Sequence, residues 1–385
     1  MKDQESDTAR HEHFMSLAID EAMKGAGRTF PNPCVGCVIV HDGEVVAAGH
    51  HPRAGEAHAE VNAFNALPEH IDRSECELYV TLEPCCVYGR TPPCTSRILD
   101  EGVRRVFIGA LDPNPDVLGN GVKKLEARGV TVTSGILRER CEELIEPFAK
   151  RMVTGMPLVV AKWAMSLDGK IATRTHDSSW ITSEASRHIV HQLRDRYDAI
   201  AVGKNTALHD DPRLTCRIEG GRDPWRVVFD ARLETPLDAK LFDPTSATAP
   251  TVVLVGADAP DEARQLLEGR GVHVRQVSTD DAGRLDLVES LKALGDLGLT
   301  SVFVEGGAGI LGALLDARLI DKVHAFIAPK LIGGEGALSS FGGAGAESMR
   351  DVFALESVRV EQVEGGDVYV TGRVPREHRA HPVVW

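Results

Sequence analysis

The side chains with the clearest chemical potential are a histidine, a glutamate and two cysteines in the first hundred residues. His58 and Glu60 stand two residues apart, and Cys85 and Cys94 follow, each directly after a proline. One imidazole and two thiolates supply three zinc ligands, which leaves a fourth tetrahedral position for water. A bound zinc lowers the pKa of that water, and Glu60 can move protons to a departing group. The pattern predicts a hydrolytic zinc centre.

The spacing of His58 and Glu60 requires a particular local structure. On a regular helix, residues two apart point to nearly opposite sides. Both side chains can reach one metal if they lie at a helix N-terminus, and Gly55 just upstream permits an abrupt entry. Helix N-termini that face the metal also stabilise the thiolates of Cys85 and Cys94. We therefore expect a helix over residues 58–67 that begins at the metal.

Other cysteines leave alternatives open. A purely structural zinc site would need a fourth protein ligand, and the CxxC spacing of Cys34 and Cys37 is common in such sites. Cys37 lies inside the apolar run 35–40, where a small buried thiol is routine, so we interpret Cys37 as core and Cys34 as a lip position. Cys86, beside Cys85, is a further competing ligand.

Length and composition limit the classes of protein. The 385 residues are too many for one ordinary domain, and 43% hydrophobic with 26% charged residues is a globular composition. Against 57 acidic residues stand 43 basic ones, and the net charge of −14 disfavours a protein that mainly binds nucleic acid. No run approaches the ~20 apolar residues of a membrane helix, and residues 1–14 lack an apolar signal core. Clustered cysteines without a secretion signal favour a reducing cytoplasm.

Apolar periodicity predicts alternating helices and strands in the first half of the chain. Phe14, Leu17 and Ala18 follow helical spacing, whereas the run 35–40 is typical of a buried strand turned by Asp42-Gly43. The predicted helices are 9–26, 58–67, 94–101, 120–128 and 137–150, and the predicted strands are 35–40, 44–48, 77–82, 103–110 and 130–133. This alternation indicates an α/β sandwich around a largely buried sheet.

A second alternation of strands and helices follows a boundary at residues 151–157, where Gly155 and Pro157 interrupt the pattern. Short buried strands are predicted at 158–164, 199–203, 226–229, 251–255, 272–277, 300–304 and 323–328. The region 356–374 is predicted to be a hairpin turned at Gly365-Gly366. We expect a first domain over 1–152, a second over 153–375 and a loose tail over 376–385.

A glycine-rich loop in the second domain has the spacing of a phosphate-binding turn. Gly307, Gly309 and Gly312 form G-x-G-x-x-G after a predicted strand and at the start of a helical stretch. An ordinary Rossmann unit would begin its domain and would carry an acid at the end of the next strand. In this chain the glycine loop lies late in the second domain, and the acidic residue Asp321 stands before the next strand and not at its end. We therefore expect phosphate binding at a helix N-terminus without a Rossmann fold.

Three short sequence segments in the first half of the chain resemble a known family. PNPCVGCVIV, AGEAHAE and TLEPCCVYGRTPPC resemble the deaminase half of the bifunctional deaminase/reductase family of riboflavin biosynthesis. General zinc deaminases have two residues between their cysteines, whereas the longer loop found here is usual in this family. The resemblance implies that His58, Cys85 and Cys94 bind zinc and that Glu60 is the proton shuttle. The family usually has Ser-His where this chain has Cys86-Val87, so any substrate contact of that histidine is missing.

The second half resembles the reductase half of the same family through AMSLDGKIA, GKNTALHDDPRLTCR and VEGGAGILGALL. The resemblance implies a cytidine-deaminase-like three-layer sandwich followed by a dihydrofolate-reductase-like α/β domain that uses NADPH. The implied NADPH contacts are Ala164, Trp180, Thr206, Asp210, Gly307, Ala308, Gly309, Ile310, Leu311, Gly312 and Ala313. The implied substrate contacts are Ser178, Arg194, Leu214, Arg217 and Glu305. Of these, the guanidinium groups of Arg194 and Arg217 suit a ribose phosphate.

The function expected from the resemblance is two consecutive reactions on a phosphorylated pyrimidine. A zinc-dependent deamination precedes an NADPH-dependent reduction of ribosylamino to ribitylamino, with one Zn²⁺ per deaminase site. We expect no nucleic acid or membrane partner and a cytoplasmic location, while a homo-oligomer stays open. The competing functions are a nucleic-acid base deaminase with an appended domain and a non-catalytic zinc-stabilised binding protein.

Overall fold

The computed structural model describes residues 2–88 and 92–382. Residues 89–91, the Gly-Arg-Thr of the long loop between the two cysteines, and the last three residues of the expected tail lie outside the described residues. The chain divides into two compact units, one that extends to Val153 and one that begins at Thr154.

The first unit is built on a five-stranded sheet with the order β2-β1-β3-β4-β5. Its strands are β1 Gly36–His41, β2 Glu44–His50, β3 Glu77–Leu82, β4 Arg105–Ala110 and β5 Thr131–Ser134. The predicted turn joins β1 to β2, with Asp42 and Gly43 both at positive φ. β1 runs antiparallel to β2 and β3, while β3, β4 and β5 are parallel. Both faces of the central strands are buried, which explains their continuous apolar runs.

Five helices cover the two faces of this sheet. They are α1 Lys2–Met23, α2 Ala59–Ala66, α3 Cys94–Glu101, α4 Asn120–Glu126 and α5 Arg138–Thr154. Phe14 of α1 and Ile145 of α5 pack on one face, and Phe64, Ile98 and Leu125 of the other three helices pack on the opposite face. The expected three-layer sandwich is confirmed. The first helix begins earlier than predicted because its leading turns are polar and show no apolar periodicity.

The second unit contains a nine-stranded sheet with the order β10-β9-β8-β7-β11-β6-β12-β14-β13. Its strands are β6 Leu158–Ser166, β7 Ala199–Gly203, β8 Trp225–Phe229, β9 Thr251–Val255, β10 His273–Gln276, β11 Ser301–Val304, β12 Lys322–Ala328, β13 Glu356–Gln362 and β14 Val368–Arg373. The strands from β10 to β12 in this order are parallel. β14 and β13 form an antiparallel hairpin at one edge, with Gly365 and Gly366 at positive φ in its turn.

The helices of the second unit connect these parallel strands and confirm the expected α/β class. They are α6 Glu184–Arg196, α7 Lys204–Asp210, α8 Asp261–Gly269, α9 Leu287–Asp296 and α10 Ala308–Asp316. The carboxyl ends of parallel strands meet at one edge of a sheet, where open α/β folds bind their ligands. Glu305 and the glycine loop follow β11 at this edge, and α7 follows β7. Across the part of the chain that the structure describes, no helix is both long and apolar enough to cross a membrane.

The described part of the predicted loose tail makes defined contacts with the second unit. Residues Arg376–His378 form a short 3₁₀ turn. Arg379 Nε donates to the carbonyl of Val374 at 2.8 Å, and the N–H of Ala380 donates to the carbonyl of Arg318 at 2.9 Å. Composition alone missed these contacts because polar residues can be held by backbone hydrogen bonds that leave no apolar pattern.

Candidate active sites

The three predicted zinc ligands meet in the first unit. His58 is the extended residue that caps α2, Cys94 is the first residue of α3, and Cys85 lies in the loop after β3. His58 Nδ1 lies 3.2 Å from Cys94 Sγ and 3.6 Å from Cys85 Sγ, and the three ligand atoms lie within 4.8 Å of one another. Zinc bonds of about 2.0–2.3 Å in a tetrahedron separate ligand atoms by about 3.3–3.8 Å. The donor set therefore fits one zinc ion.

The surroundings of Cys85 favour its anionic form. The N–H of Cys94, at the start of α3, donates to Cys85 Sγ at 3.3 Å. A hydrogen bond from the Cys94 thiol lowers the pKa of Cys85 to about 4 against the opposing effect of burial, and the imidazole of His58 acts in the same direction. A thiolate at a helix N-terminus is the form that zinc binds.

Glu60 lies in the first turn of α2 and is 3% exposed. Burial raises the pKa of its carboxyl group, and the neighbouring Cys85 thiolate adds to this effect. A carboxyl group whose pKa lies closer to neutrality accepts and releases protons more evenly at pH 7. The expected helix that begins at the metal is confirmed, because His58 precedes its first turn and Glu60 lies within it.

A cavity of about 410 Å³ opens beside these residues and includes His58, Glu60 and Cys85 in its wall. This volume suits a small molecule of nucleoside size. Asn32 and His51 also line it, and sequence reasoning missed both as site residues. His51 Nδ1 lies 3.0 Å from the carbonyl oxygen of Ala57. A carbonyl oxygen can only accept, so Nδ1 carries the proton and donates it. The other ring nitrogen, Nε2, then accepts the side-chain N–H of Asn32 at 3.0 Å. This tautomer fixes the orientation of the Asn32 amide.

Another part of the cavity wall is held by a buried carboxylate. Glu83 is 2% exposed and accepts the backbone N–H groups of Asp112, Gly119 and Val122 at 3.2, 2.9 and 3.2 Å. The anchored loop places Asp112 in the cavity wall, where burial raises the pKa of its carboxyl group to about 6. No short motif in the sequence marks this loop, because its contacts join residues 29 to 39 positions apart.

The structure also bears on the alternative cysteine ligands. Cys37 is fully buried in β1, and Cys34 Sγ donates to the carbonyl of Ala22 at 2.9 Å. Cys86 lies outside the cluster, with its Sγ 4.0 Å from the carbonyl of Asp116. Within the described residues, the cluster able to hold a metal consists of the three predicted ligands alone. The arrangement leaves room for a water, as a catalytic zinc site requires.

In the second unit, the glycine loop lies at the N-terminus of α10. Gly307 is the N-cap of the helix and has no side chain to cap it, and its own N–H donates to Thr206 Oγ1 at 3.1 Å. A side chain at Gly312 would lie 2.2 Å from the carbonyl oxygen of Gly342, so close backbone packing requires glycine there. The uncapped amides of this first turn suit the pyrophosphate of NADPH. The predicted cofactor residues 307–313 and Thr206 thus lie together.

A charged cluster adjoins this loop at the end of β11. Glu305 accepts from Arg194 at 2.6 and 3.1 Å and from Lys162 Nζ at 3.3 Å. Burial opposes ionisation of Glu305, but the positive charges of Arg194 and Lys162 lower its pKa to about 2. The carboxylate is therefore anionic and held in place by two cations. Lys162 was not predicted, since a lone lysine on a buried strand has no recognisable motif.

This pairing changes the expectation that Arg194 serves as a phosphate ligand. Arg194 uses one side of its guanidinium on Glu305 and also donates to the carbonyl of Thr215 at 2.8 Å. Within the described residues Arg217 has no ion pair, and burial together with the charge of Arg194 lowers its pKa. Of the two arginines predicted to contact the substrate, Arg217 is therefore the one that stays available for an anionic ligand.

The other predicted reductase residues lie on connections that leave the same sheet edge. Trp180 is 67% exposed, and the guanidinium of Arg187 lies 4.6 Å from its ring centroid. Asp210 ends α7, where partial burial raises the pKa of its carboxyl group. The remaining three occupy β6 and the connections after β6 and β7: Ala164, Ser178 and Leu214.

Comparisons with known proteins identify relatives of both units. The family model of the cytidine and deoxycytidylate deaminase zinc-binding region matches residues 8–110, and that of the RibD C-terminal domain matches residues 157–369. The chain is 42% identical over 367 residues to riboflavin biosynthesis protein RibD of Bacillus amyloliquefaciens. The aligned region covers 95% of this chain and 96% of the relative. RibD of Escherichia coli is 38% identical over 84% of this chain and 89% of the relative.

Solved structures extend the similarity to three dimensions. A diaminohydroxyphosphoribosylaminopyrimidine deaminase/5-amino-6-(5-phosphoribosylamino)uracil reductase from Thermotoga maritima superposes with a TM-score of 0.83 at 36% identity, over 96% of this chain and 100% of the other. Acinetobacter baumannii RibD superposes with a TM-score of 0.82 at 34% identity, with the same two coverages. The similarity thus spans both units.

Proposed function

The chain belongs to the RibD family of bifunctional riboflavin-biosynthesis enzymes, and from this membership we propose how its own residues carry out the two reactions. It is a zinc-dependent deaminase and an NADPH-dependent reductase of riboflavin biosynthesis. The proposed substrates are 2,5-diamino-6-(5-phosphoribosylamino)pyrimidin-4-one and then 5-amino-6-(5-phosphoribosylamino)uracil. The observation that carries the proposal is the three-ligand cluster, which adjoins a buried carboxyl group in a nucleoside-sized cavity.

In the deaminase site, we assign zinc binding to His58, Cys85 and Cys94. Bound zinc supplies an activated water for attack on the amine-bearing ring carbon. Glu60 would accept a proton from this water and pass it to a ring nitrogen, and would then accept the remaining hydroxyl proton and transfer it to the departing amine. Water is consumed, one carbon–nitrogen bond breaks, a carbonyl forms and ammonia leaves. The cavity wall around Asn32 and Asp112 orients the pyrimidine.

In the reductase site, bound NADPH supplies a hydride for C1 of the opened ribose. Thr206 fixes the turn by accepting the N–H of Gly307, and the backbone amides of the first turn of α10 hold the cofactor phosphates. Glu305, kept anionic by Arg194 and Lys162, faces the sugar, and Arg217 binds its phosphate. These side chains position donor and acceptor for transfer, and no side chain is assigned as the proton donor.

Three proposals concern the whole chain. The deaminase comprises residues 1–152 and the reductase residues 153–375, so each activity belongs to its own domain. The ligands are small phosphorylated molecules, because a net charge of −14 opposes a polynucleotide and the cavity holds about 410 Å³. A reducing cytoplasm keeps the free cysteines available to zinc.

A coupled assay tests this function. The purified zinc-loaded protein receives the diaminopyrimidinone phosphate together with NADPH, and ammonia and NADPH are measured over time. One ammonia released and one NADPH oxidised per substrate, with ammonia first, is the expected result. NADPH oxidation without prior ammonia release, or neither event, would contradict the proposed sequence of reactions.

A further inference from the structure

Trp180 is a large apolar side chain that the reductase unit holds in an exposed position. It lies on the connection between β6 and α6 and is 67% exposed. Leu167 and Leu331, on the connections after β6 and β12, are 66% and 77% exposed. These two connections meet, since the N–H of Leu167 donates to the carbonyl of Lys330 at 2.8 Å. Exposed apolar side chains on neighbouring connections are typical of a ligand-binding surface.

Arg187 of α6 supports the indole ring of Trp180. Its guanidinium lies 4.6 Å from the ring centroid, which is the geometry of a cation–π contact. The same guanidinium donates through Nη1 to the carbonyl of Thr182 at 2.8 Å, so it also binds the chain just after the ring. The first turn of α6 is itself fixed, because the carboxylate of Asp367 accepts the N–H of Ser183 at 2.7 Å. Arg187 therefore covers one face of the ring and leaves the other face to a ligand.

Lys330, in the connection after β12, fixes the backbone of Trp180. Its Nζ donates to the carbonyl of Trp180 at 2.9 Å. The segment that carries Lys330 is tied to the connection after β6, since Asp168 accepts the N–H groups of Ile332 and Gly333 at 3.1 and 2.6 Å. Two cations on different elements thus hold the ring and the backbone of one residue. A side chain that is exposed and yet held in this way is preorganised to bind a ligand.

The order of the strands indicates which half of NADPH reaches Trp180. β7 and β8 lie on one side of β11, and β6 and β12 lie on the other. The pyrophosphate is assigned to the start of α10, which follows β11, so the two halves of the cofactor extend to opposite sides. Lys162 of β6 contacts Glu305, which places the proposed sugar site, and therefore the hydride, on the β6 side. The half that reaches Trp180 is then the nicotinamide half.

We propose that Arg187 and Lys330 are positioning residues that present the free face of the Trp180 indole ring as a stacking surface for the nicotinamide ring of NADPH. Flat rings stack on an indole in an offset arrangement. The inference rests on the reductase function proposed above and adds two residues that act through Trp180 without touching the cofactor. Neither cation contributes to NADPH binding once the indole ring is removed.

A double-mutant cycle in the full-length chain tests this dependence. NADPH binding is followed by the fluorescence of the cofactor, and KM for NADPH is measured at saturating 5-amino-6-(5-phosphoribosylamino)uracil. We expect Arg187→Met and Lys330→Met each to raise Kd and KM for NADPH about 2- to 5-fold, the value of one exposed cation–π contact or hydrogen bond. In the Trp180→Ala background, the same substitutions should cause no further loss. Arg187→Lys keeps the cation and should bind NADPH nearly as well as wild type.

A second probe tests which ring lies on Trp180. Adenosine 2′,5′-bisphosphate carries only the adenosine half of NADPH, and its Ki against NADPH should be the same in wild type, Arg187→Met and Trp180→Ala. A raised Ki in these variants would place the adenine ring at Trp180 and overturn the assignment.

Arg196→Met is the matched control, because Arg196 is an exposed arginine in the last turn of the same helix, and it should bind NADPH as wild type does. Unchanged affinity in Arg187→Met or Lys330→Met, or an equal further loss in the Trp180→Ala background, would overturn the proposal. If one of these variants does not fold, the other variant and Arg187→Lys decide the outcome. A wild type that binds NADPH but does not oxidise it would overturn the proposed function alone, and the binding cycle would still decide this inference. A wild type that does not bind NADPH would overturn both.

Discussion

Two carboxylate side chains show how their surroundings adapt one functional group to opposite tasks. Burial raises the pKa of Glu60, and the neighbouring Cys85 thiolate adds to this effect. Glu305 is also largely buried, but Arg194 and Lys162 lower its pKa to about 2. A carboxyl group with a raised pKa can exchange protons during a reaction, whereas one held permanently anionic can only attract or orient. We therefore place proton transfer at Glu60 and positioning at Glu305.

The first prediction concerns Glu60. Glu60→Gln keeps the size of the side chain but cannot accept a proton, so ammonia release should fall about 100- to 10,000-fold. The zinc content and the NADPH-dependent reduction of the aminouracil phosphate should be unchanged. Ammonia release is measured with Glu69→Gln, an exposed glutamate of the same unit, as the control. Near-normal deamination by Glu60→Gln would show that another group carries the proton.

The second prediction concerns Arg217. Removal of a cation that binds a phosphate costs a charge-assisted hydrogen bond, so Arg217→Ala should raise the reductase KM about 10- to 100-fold. The exposed Arg213 of the same segment serves as the matched control in Arg213→Ala. With a dephosphorylated substrate, wild type and Arg217→Ala should give the same KM. A difference that persists without the phosphate would assign Arg217 another role.

At the scale of secondary structure elements, helix termini and one anchored loop position the deaminase residues. His58 caps α2 and Cys94 begins α3, so the metal ligands lie where backbone N–H groups are available. Glu83 ties the loop that bears Asp112 to the start of α4, because it accepts the N–H groups of Asp112, Gly119 and Val122. The geometry of the cavity thus depends on Glu83, which is not itself a metal ligand.

The third prediction follows from this anchor. Glu83→Gln replaces one of the two acceptor oxygens with an NH₂ group, so the first unit should lose about 1–3 kcal/mol of unfolding free energy. The deaminase KM should rise while the reductase KM stays unchanged. Chemical denaturation and both assays provide the measurement, with the exposed Glu126→Gln as control. Equal stability and equal KM in Glu83→Gln would remove the proposed anchoring role.

The fourth prediction concerns a buried histidine in β12. His324 is 3% exposed and hydrogen-bonds to Tyr197 and Tyr369, and burial lowers its pKa to about 3. The unfolded chain binds a proton at this histidine below about pH 6.5, but the folded chain does not until about pH 3. Stability should therefore fall as the pH drops through this interval, by up to about 1.4 kcal/mol per pH unit.

Urea unfolding of the wild type and of His324→Phe between pH 7 and pH 5 checks this sign. The variant should be less stable at pH 7, because it loses the two tyrosine contacts, yet its stability should depend less on pH. The exposed His188→Asn should retain the wild-type dependence. A His324→Phe slope equal to that of wild type would show that this histidine is not responsible.

The sequence predicts the elements better than it predicts the complete sites. Strands such as 77–82 stand out because both of their faces are buried and their apolar runs are continuous. The metal ligands were predictable because zinc chemistry demands particular residue types at a helix N-terminus. Lys162 and Glu83 were not, since their roles arise from contacts between residues 29 to 143 positions apart. The pairing of Arg194 with Glu305 was likewise not predictable, because only the fold brings the two residues together. This pairing leaves Arg194 fewer N–H groups for a phosphate.

At the scale of the whole molecule, the net charge of −14 coexists with sites for phosphorylated ligands. The cations near the reductase ligands are few and local: Glu305 neutralises part of the charge of Arg194 and Lys162, and Arg217 stays available. A sparse arrangement of this kind suits a small anion, and the overall negative charge disfavours the binding of a polynucleotide. The acidic composition is thus consistent with both proposed reactions.

The fifth prediction, and the most direct test of two separate centres on one chain, is a zinc-removal experiment. The full-length protein is depleted of zinc with a chelator, and both reactions are measured on the same sample with their own substrates. Ammonia release should be lost and should return when zinc is added, because His58, Cys85 and Cys94 then regain their metal. NADPH oxidation with the aminouracil phosphate should continue throughout. Ammonia release that persists without zinc, or a reduction that is lost and restored together with zinc, would contradict the account.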